Sequence, residues 1–357
     1  MKTKQLTAAM ALIVSSVLVL TGCSGENSAE PSKTGQELSG TINVVTPGGD
    51  FDAAFTEAIV DPFIAANPQV TVNLENLTSA EALAKLRATV GSPVYDVVIL
   101  DGTGQENVAR QRLYEKLSVD SIPNIGKLDQ LALSPTGHGP VFSYDKLVMV
   151  YNADRVSTAP TSWLDLANPG LAGHIGMPIL PDEKAVCLMS VVNDRLGGDP
   201  KTLDKAIDWA ADLKSGIAVA APSSGAFTPG LQAGELWAVP YWNARAQALI
   251  EQGAPVKAVT PSEGSCFQTN RINVVKDAPN LAAALAFTDF AISAEAQEGF
   301  MSKLFYGSPN TEVQLSADVQ ERAVSIKDAE TLRVLDPELI VTQSPAWADA
   351  WNRAFGK

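Results

Sequence analysis

The chain has 357 residues, with 26 basic against 40 acidic side chains and a formal net charge of −14. Acidity of this kind, spread along the chain, argues against nucleic acid and anionic headgroups as partners and otherwise signals solubility. The two histidines, His138 and His174, lie far apart and neither is spaced with a cysteine, so no zinc-binding set is offered and no cofactor is expected.

Lys2 and Lys4 precede an apolar run from Ala8 to Leu20 that closes on Leu20-Thr21-Gly22-Cys23. The run is thirteen residues long, whereas a helix needs about 20 to cross the hydrocarbon core. Residues 1–22 therefore read as an export signal, cut before Cys23. The Leu-Thr-Gly-Cys order resembles the bacterial lipobox, which implies a diacylated Cys23 and an extracytoplasmic protein held at the cell membrane. Removing Lys2 and Lys4 with no acid moves the charge to −16, and 335 residues remain, enough for two lobes at about 150 residues each. Residues 23–39 carry Ser, Glu, Lys and Gly with almost nothing to bury, as a flexible tether does. With Cys23 spent on lipid, Cys187 and Cys266 remain in a compartment that permits disulfides, and a bridge between them is expected.

The folded part opens with a strand at Thr41–Val45 feeding the loop Thr46-Pro47-Gly48-Gly49. Phe55, Ile59, Phe63 and Ile64 recur at helical spacing from about Asp52 to Ala66, and Asn67-Pro68 stops that helix. A strand at Val70–Leu74, a helix from Ser79 and a strand at Tyr95–Leu100 that reads as buried on both faces complete βαβαβ, the start of a doubly wound lobe. Ligands in such sheets sit beyond the carboxyl ends of the strands, which singles out Thr46 to Gly49, Thr78 to Ser79 and Asp101 to Gly104. Gly102-Thr-Gly104 is not a dinucleotide fingerprint, because Asn107 stands where the third glycine belongs. From Phe142 onward, strands at 142–151, 175–179, 217–220, 236–240 and 256–259 alternate with helices at 185–196, 201–213 and 244–252. The chain beyond Leu281 reads as mostly helical. Neither a P-loop nor a Gly-x-Ser-x-Gly elbow occurs, and neither histidine stands beside a recognisable nucleophile, so a hydrolase is disfavoured.

Several short segments in this order resemble the solute-binding proteins of ABC importers, in the branch of the spermidine/putrescine binders and their ferric and thiamine relatives. They are Tyr95-Asp-Val-Val-Ile-Leu-Asp101, Val150-Tyr-Asn152 with Pro160-Thr-Ser-Trp-Leu-Asp-Leu166, Tyr241-Trp-Asn243, Thr260-Pro-Ser-Glu-Gly264 and Tyr306-Gly-Ser-Pro-Asn310. The resemblance implies an α/β fold of two doubly wound lobes joined by a hinge, periplasmic-binding-protein-like of type II. It places lobe 1 at residues 40–141 plus 269–310 and lobe 2 at residues 142–268 plus 311–357, with crossovers near Val141, Gln268 and Asn310. It also implies a monomer serving a permease and an ATPase on separate chains, with closure on the solute as the working step.

Carried over residue by residue, the resemblance puts Thr46, Ser79, Asp101 and Thr103 on the end loops of the first lobe. Tyr144 stands where polyamine binders place an aromatic wall, Tyr241 and Trp242 belong to the cleft tripeptide, and Ser224 lies in a polar loop that admits ligand. Polyamine binders pair each ammonium with a carboxylate, since a buried charge is costly alone. At those positions this chain has Lys184, Cys187 and Asn270, with Gln268 replacing a tryptophan, so Asp182 and Glu183 are left to stand in. Arg271 would suit a ligand carboxylate through a two-pronged contact. The expected solute is small and amine-bearing or zwitterionic, polyamine-like, with a compact amino acid, a thiamine-like compound or ferric ion as alternatives. Ferric binders resemble one another in adjacent tyrosines, whereas here Tyr241 precedes Trp242.

Overall fold

Three of the apolar runs form β1 (Gly40–Thr46), β2 (Val70–Asn76) and β3 (Val97–Asp101) in the computed structural model, which describes residues 37–101, 111–325, 327–328 and 332–356. Both β2 and β3 pair in parallel with β1. Parallel neighbours need crossovers, and the intervening helices supply them. The first runs from Asp50 to Ala66 through a π turn at Thr56–Val60, and the second is Ser79–Ala88, begun by a reciprocal cap between Thr78 and Glu81. The turn into the first helix uses Gly48 and Gly49 at φ of 80° and 68°, a left-handed geometry that a side chain would strain.

The second lobe contains β5 (Ile175–Pro178), β6 (Ile217–Ala221), β7 (Ala238–Trp242) and β8 (Val256–Val259). Here β5 runs parallel to both β6 and β7. Two long antiparallel strands, β4 (Val141–Asn152) and β9 (Phe267–Val274), bind the halves together. β9 lies on β3, with Asp101 opposite Asn270, because it returns from the second lobe and so enters the first sheet in the reverse direction. β4 pairs with β9 from Val141 to Lys146 and with β7 and β8 from Leu147 to Asn152, so one continuous strand serves both lobes.

Each lobe buries apolar side chains on both faces of its sheet. In the first, Phe51, Phe55, Phe142, Phe287 and Phe300 pack on one face and Ala82, Leu86, Tyr95 and Leu100 on the other. In the second, Trp163, Met177, Leu188 and Trp351 oppose Val148, Phe227 and Leu249. A disulfide joins Cys187, inside the helix Glu183–Arg195, to Cys266, just before β9.

Strand partners and core membership change over at three places along the chain. The first falls inside β4, between Lys146 and Leu147, downstream of Val141. The second falls at Cys266 and Phe267, beside Gln268. The last lies beyond Val324, which still packs in the first core, and before the helix Pro337–Phe355, whose Trp347 and Trp351 fill the second. Asn310 is buried, its Nδ2 donating 2.8 Å to the carbonyl of Ile292. Cys23 and Thr103 lie outside the described residues.

Candidate functional site

A cavity of about 310 Å³ opens between the lobes where the carboxyl ends of β1, β3 and β7 meet the crossing strands. That volume sits at the low end of the roughly 300–1,000 Å³ of small-molecule pockets. The first lobe contributes Pro47, Thr78, Ser79 and Asp101, and the second contributes Asp182, Glu183, Lys184, Ser224, Trp242 and Arg245. Asp145 from β4, Gln268 and Asn270 from β9, and Tyr306 form the floor between them.

The polar groups are held by one another. Ser79 Oγ donates 3.0 Å to Asp101 Oδ2 and receives the Asp101 N–H at 3.2 Å. Gln268 Nε2 spans the cleft, donating 3.3 Å to Asp101 Oδ1 and 3.2 Å to Glu183 Oε2. Asp182 caps the helix Glu183–Arg195 by accepting the Lys184 N–H at 3.1 Å, and Lys184 Nζ turns back to within 2.7 Å of Asp182 Oδ1. That ammonium also donates 3.0 Å to the carbonyl of Pro222. Asn270 Nδ2 donates 2.9 Å to Ser143 Oγ.

Charge in the cleft is lopsided: the carboxyls of Asp101, Asp145, Asp182 and Glu183 face two cations, Lys184 and Arg245. Burial strips water from the ionised form and holds Asp101 above the usual carboxyl range, against the Ser79 hydroxyl and the charge on Lys184. It also lifts Asp182, with Lys184 opposing. Asp145, only 1% exposed, is pushed up to about 7 by burial although the backbone N–H groups of Lys146 and Ala244 favour its anion. A cation entering the cleft would restore to these groups the solvation that folding removed. The guanidinium of Arg245, on an exposed residue, makes no ion pair or hydrogen bond among the described residues.

The cleft brings together Ser79, Asp101, Asp182, Ser224, Trp242, Gln268 and Asn270 of the residues singled out from sequence. It does not include Thr46, Tyr144, Tyr241 or Arg271. Thr46 is buried and donates its hydroxyl to Asn76 Oδ1 at 3.2 Å. Tyr144 is a core residue whose hydroxyl donates to both carboxylate oxygens of Asp129, at 2.9 and 2.8 Å, and whose ring tilts against Phe267. Tyr241 shares a 2.8 Å hydrogen bond with the Thr228 hydroxyl, and Arg271 donates Nη1 to the Gly139 carbonyl at 2.9 Å. Each of these stands next to a residue that does line the cleft: Pro47, Asp145, Trp242 and Asn270. Side chains alternate faces along a strand, so a displacement of one residue exchanges the cleft face for the core face.

Sequence reasoning missed Asp145, Arg245 and Tyr306 as cleft residues. Alternation along β4 was the available signal for Asp145, which shares its face with Ser143. Arg245 could have been found as the charged residue in the first turn of the helix Asn243–Glu251, directly after the strand that delivers Trp242. Tyr306 follows the helix Ala294–Leu304 in a loop that only tertiary packing brings to the cleft, and burial raises its phenol so that it stays neutral there.

A family model described as bacterial extracellular solute-binding protein matches residues 58–325. The spermidine/putrescine-binding periplasmic protein of Escherichia coli is 24% identical over 261 residues, 70% of this chain and 74% of that protein. The gamma-aminobutyric acid-binding protein of Pseudomonas aeruginosa is 27% identical over 335 residues, 89% of this chain and 91% of that protein. The solved spermidine/putrescine ABC transporter substrate-binding protein of Streptococcus pneumoniae superposes with a TM-score of 0.73 at 18% identity, over 89% of this chain and all of that one. That superposition establishes a shared two-lobed α/β fold. No helix among the described residues is long and apolar enough to cross a membrane.

Proposed function

The chain belongs to the bacterial extracellular solute-binding proteins, and from that premise we propose that it is the lipid-anchored binding component of an ABC importer for a small amine-bearing or zwitterionic solute. One observation carries the choice of solute: three carboxyls, Asp101, Asp145 and Asp182, are held in one interlobe cavity under conditions that disfavour their anions. A sugar or an anion would leave them so, whereas an ammonium group offsets the lost hydration.

Arg245 favours the zwitterionic member of this class over a polyamine. Its guanidinium lines the same cavity with no hydrogen bond or ion pair among the described residues, and it matches a carboxylate fork to fork. A solute with an ammonium at one end and a carboxylate at the other would use both poles, and a dication would meet Arg245 as a like charge. The relative from Pseudomonas aeruginosa, named for gamma-aminobutyric acid, supports the same reading.

Capture works by closure. Residues from both lobes line the cavity, so the solute has its full set of contacts only when the lobes meet, and it stabilises that arrangement by its differential affinity. Moving a closed population from about 1% to about 99% takes roughly 5.5 kcal/mol of preference, within reach of one ammonium, one carboxylate and contact with Trp242. Calorimetric titration with putrescine, spermidine, γ-aminobutyrate, a hexose and an inorganic anion tests the reading. Heat from γ-aminobutyrate or an amine is expected, and a response to the hexose or the anion alone would overturn the solute class. The anchor at Cys23 is tested by mass analysis of the N-terminal peptide from the native membrane, where a diacylated cysteine is expected.

A further inference from the structure

Away from the cavity, the lobes meet a second time around Arg322. This residue ends the short helix Ala317–Arg322, whose Val319, with Ala323, packs on Phe305 of the first lobe. Its guanidinium lies 3.9 Å from the centroid of the Phe305 ring. The same group reaches across to the helix Asn243–Glu251 of the second lobe. Nη1 stands 2.7 Å from Glu251 Oε1, Nε donates 3.0 Å to Gln247 Oε1, and the Arg322 carbonyl accepts from Asn243 Nδ2 at 2.8 Å. Gln247 closes the loop by donating 3.2 Å to Asn243 Oδ1.

That helix is the one that serves the solute cavity. Its first turn carries Arg245, Trp242 precedes it, and Ala244 is tied to Asp145 on β4, the strand where the lobes exchange partners. Rotation of one lobe against the other about β4 moves Glu251 and Gln247 relative to Arg322, because their helix packs through Ala246 and Leu249 in one core while Val319 and Ala323, beside Arg322, pack in another. The contacts that Arg322 makes with this helix are directional hydrogen bonds and an ion pair, a set that a rigid-body rotation can break and remake.

We propose that Arg322 is a positioning residue for solute capture: it latches the helix Asn243–Glu251 to the first lobe and so favours the closed arrangement, without touching the solute. The proposal rests on the reading of the chain as a hinged binder. Because an unliganded protein that is closed only part of the time binds with its intrinsic affinity scaled by that fraction, loosening the latch weakens every solute by one common factor.

The test uses the full chain with spin labels on Val90→Cys in the first lobe and Lys257→Cys in the second, both exposed. Interlobe distances are measured by pulsed electron resonance without solute and then with γ-aminobutyrate and putrescine. Arg322→Ala is expected to enlarge the long-distance population in the unliganded chain. It should also raise the Kd of each solute that binds by the same factor, roughly three- to tenfold, leaving their ratio unchanged. Arg322→Lys, which keeps the charge but loses the fork, should recover part of the effect. Glu251→Gln, at a residue whose side chain is 56% exposed, supplies the same readout if Arg322→Ala fails to fold. Unchanged or shorter interlobe distances in these variants would overturn the latch even if solute binds normally. An enlarged distance with no response to either solute would uphold the latch and discard the solute class.

Discussion

Asp145 accepts the backbone N–H of Ala244 at 3.2 Å, fastening the strand shared by both lobes to the first turn of the helix that bears Arg245. The carboxyl is only 1% exposed, and burial lifts its pKa from 3.8 to about 7. Since the unfolded chain ionises near 3.9, the folded state holds the extra proton between these values. The stability contributed by the neutral carboxyl is complete below about pH 4 and is lost as pH rises to about 7. Asp145→Asn keeps an acceptor for Ala244 and carries no charge. Its melting temperature should gain on the parent as pH rises from about 4 to about 7, as followed by scanning calorimetry. Parallel profiles would remove Asp145 as the titrating group.

Lys184 is 4% exposed and rests on Asp182. Asp182→Ala strands an ammonium in the cavity wall and should cost about 3 kcal/mol in urea unfolding, as broken buried pairs do. Asp182→Ala combined with Lys184→Met should recover most of that loss. A single variant with near-parental stability would mean that water already screens the pair.

The disulfide between Cys187 and Cys266 closes a loop with a sequence separation of 79. The chain-entropy model assigns such a loop about 4.5 kcal/mol. Replacing both cysteines by serine should therefore lower unfolding stability by about 2–4 kcal/mol, somewhat less than the ideal figure. Because the bridge ties the helix behind Asp182 to the start of β9, calorimetry should also record weaker solute binding. Unaltered affinity in a less stable double variant would limit the bridge to a stability role.

Tyr144 donates to the carboxylate of Asp129 from inside the first core. Tyr144→Phe removes a hydrogen bond to a charged group, worth about 1.5–3 kcal/mol. It should lower stability by about that amount while leaving solute affinity intact. A specific loss of affinity at unchanged melting temperature would return Tyr144 to the cleft.

Arg245→Ala should weaken γ-aminobutyrate at least about tenfold, the scale of one charge-assisted hydrogen bond. Putrescine should be held equally well or more tightly, because a like charge has gone. Titration calorimetry of both solutes against parent and variant decides the point. An equal loss for the two would place Arg245 outside the reach of the solute's carboxylate.

Much of this molecule was legible before any coordinates. Strand runs at 70–74, 142–151, 217–220 and 256–259 lie within β2, β4, β6 and β8, because apolar β-rich runs between turn residues have few other ways to bury themselves. The segment at 52–66 became helix for the same reason, its aromatic residues repeating at the spacing of one face. The end-loop rule for parallel sheets found Ser79 and Asp101, since it depends only on where strands stop.

Sequence by itself determined the elements, their α/β alternation and the acidic, two-lobed character of the chain, because periodicity and composition act over a few residues at a time. Only the tertiary structure decided which face of β4, β7 and β9 looks into the cavity, so that Asp145, Trp242 and Asn270 line it while Tyr144, Tyr241 and Arg271 turn away. The physical reason is the two-residue period of a strand: register is fixed by partners distant in the chain, as when β9 seats Asn270 opposite Asp101. No local pattern carries that information.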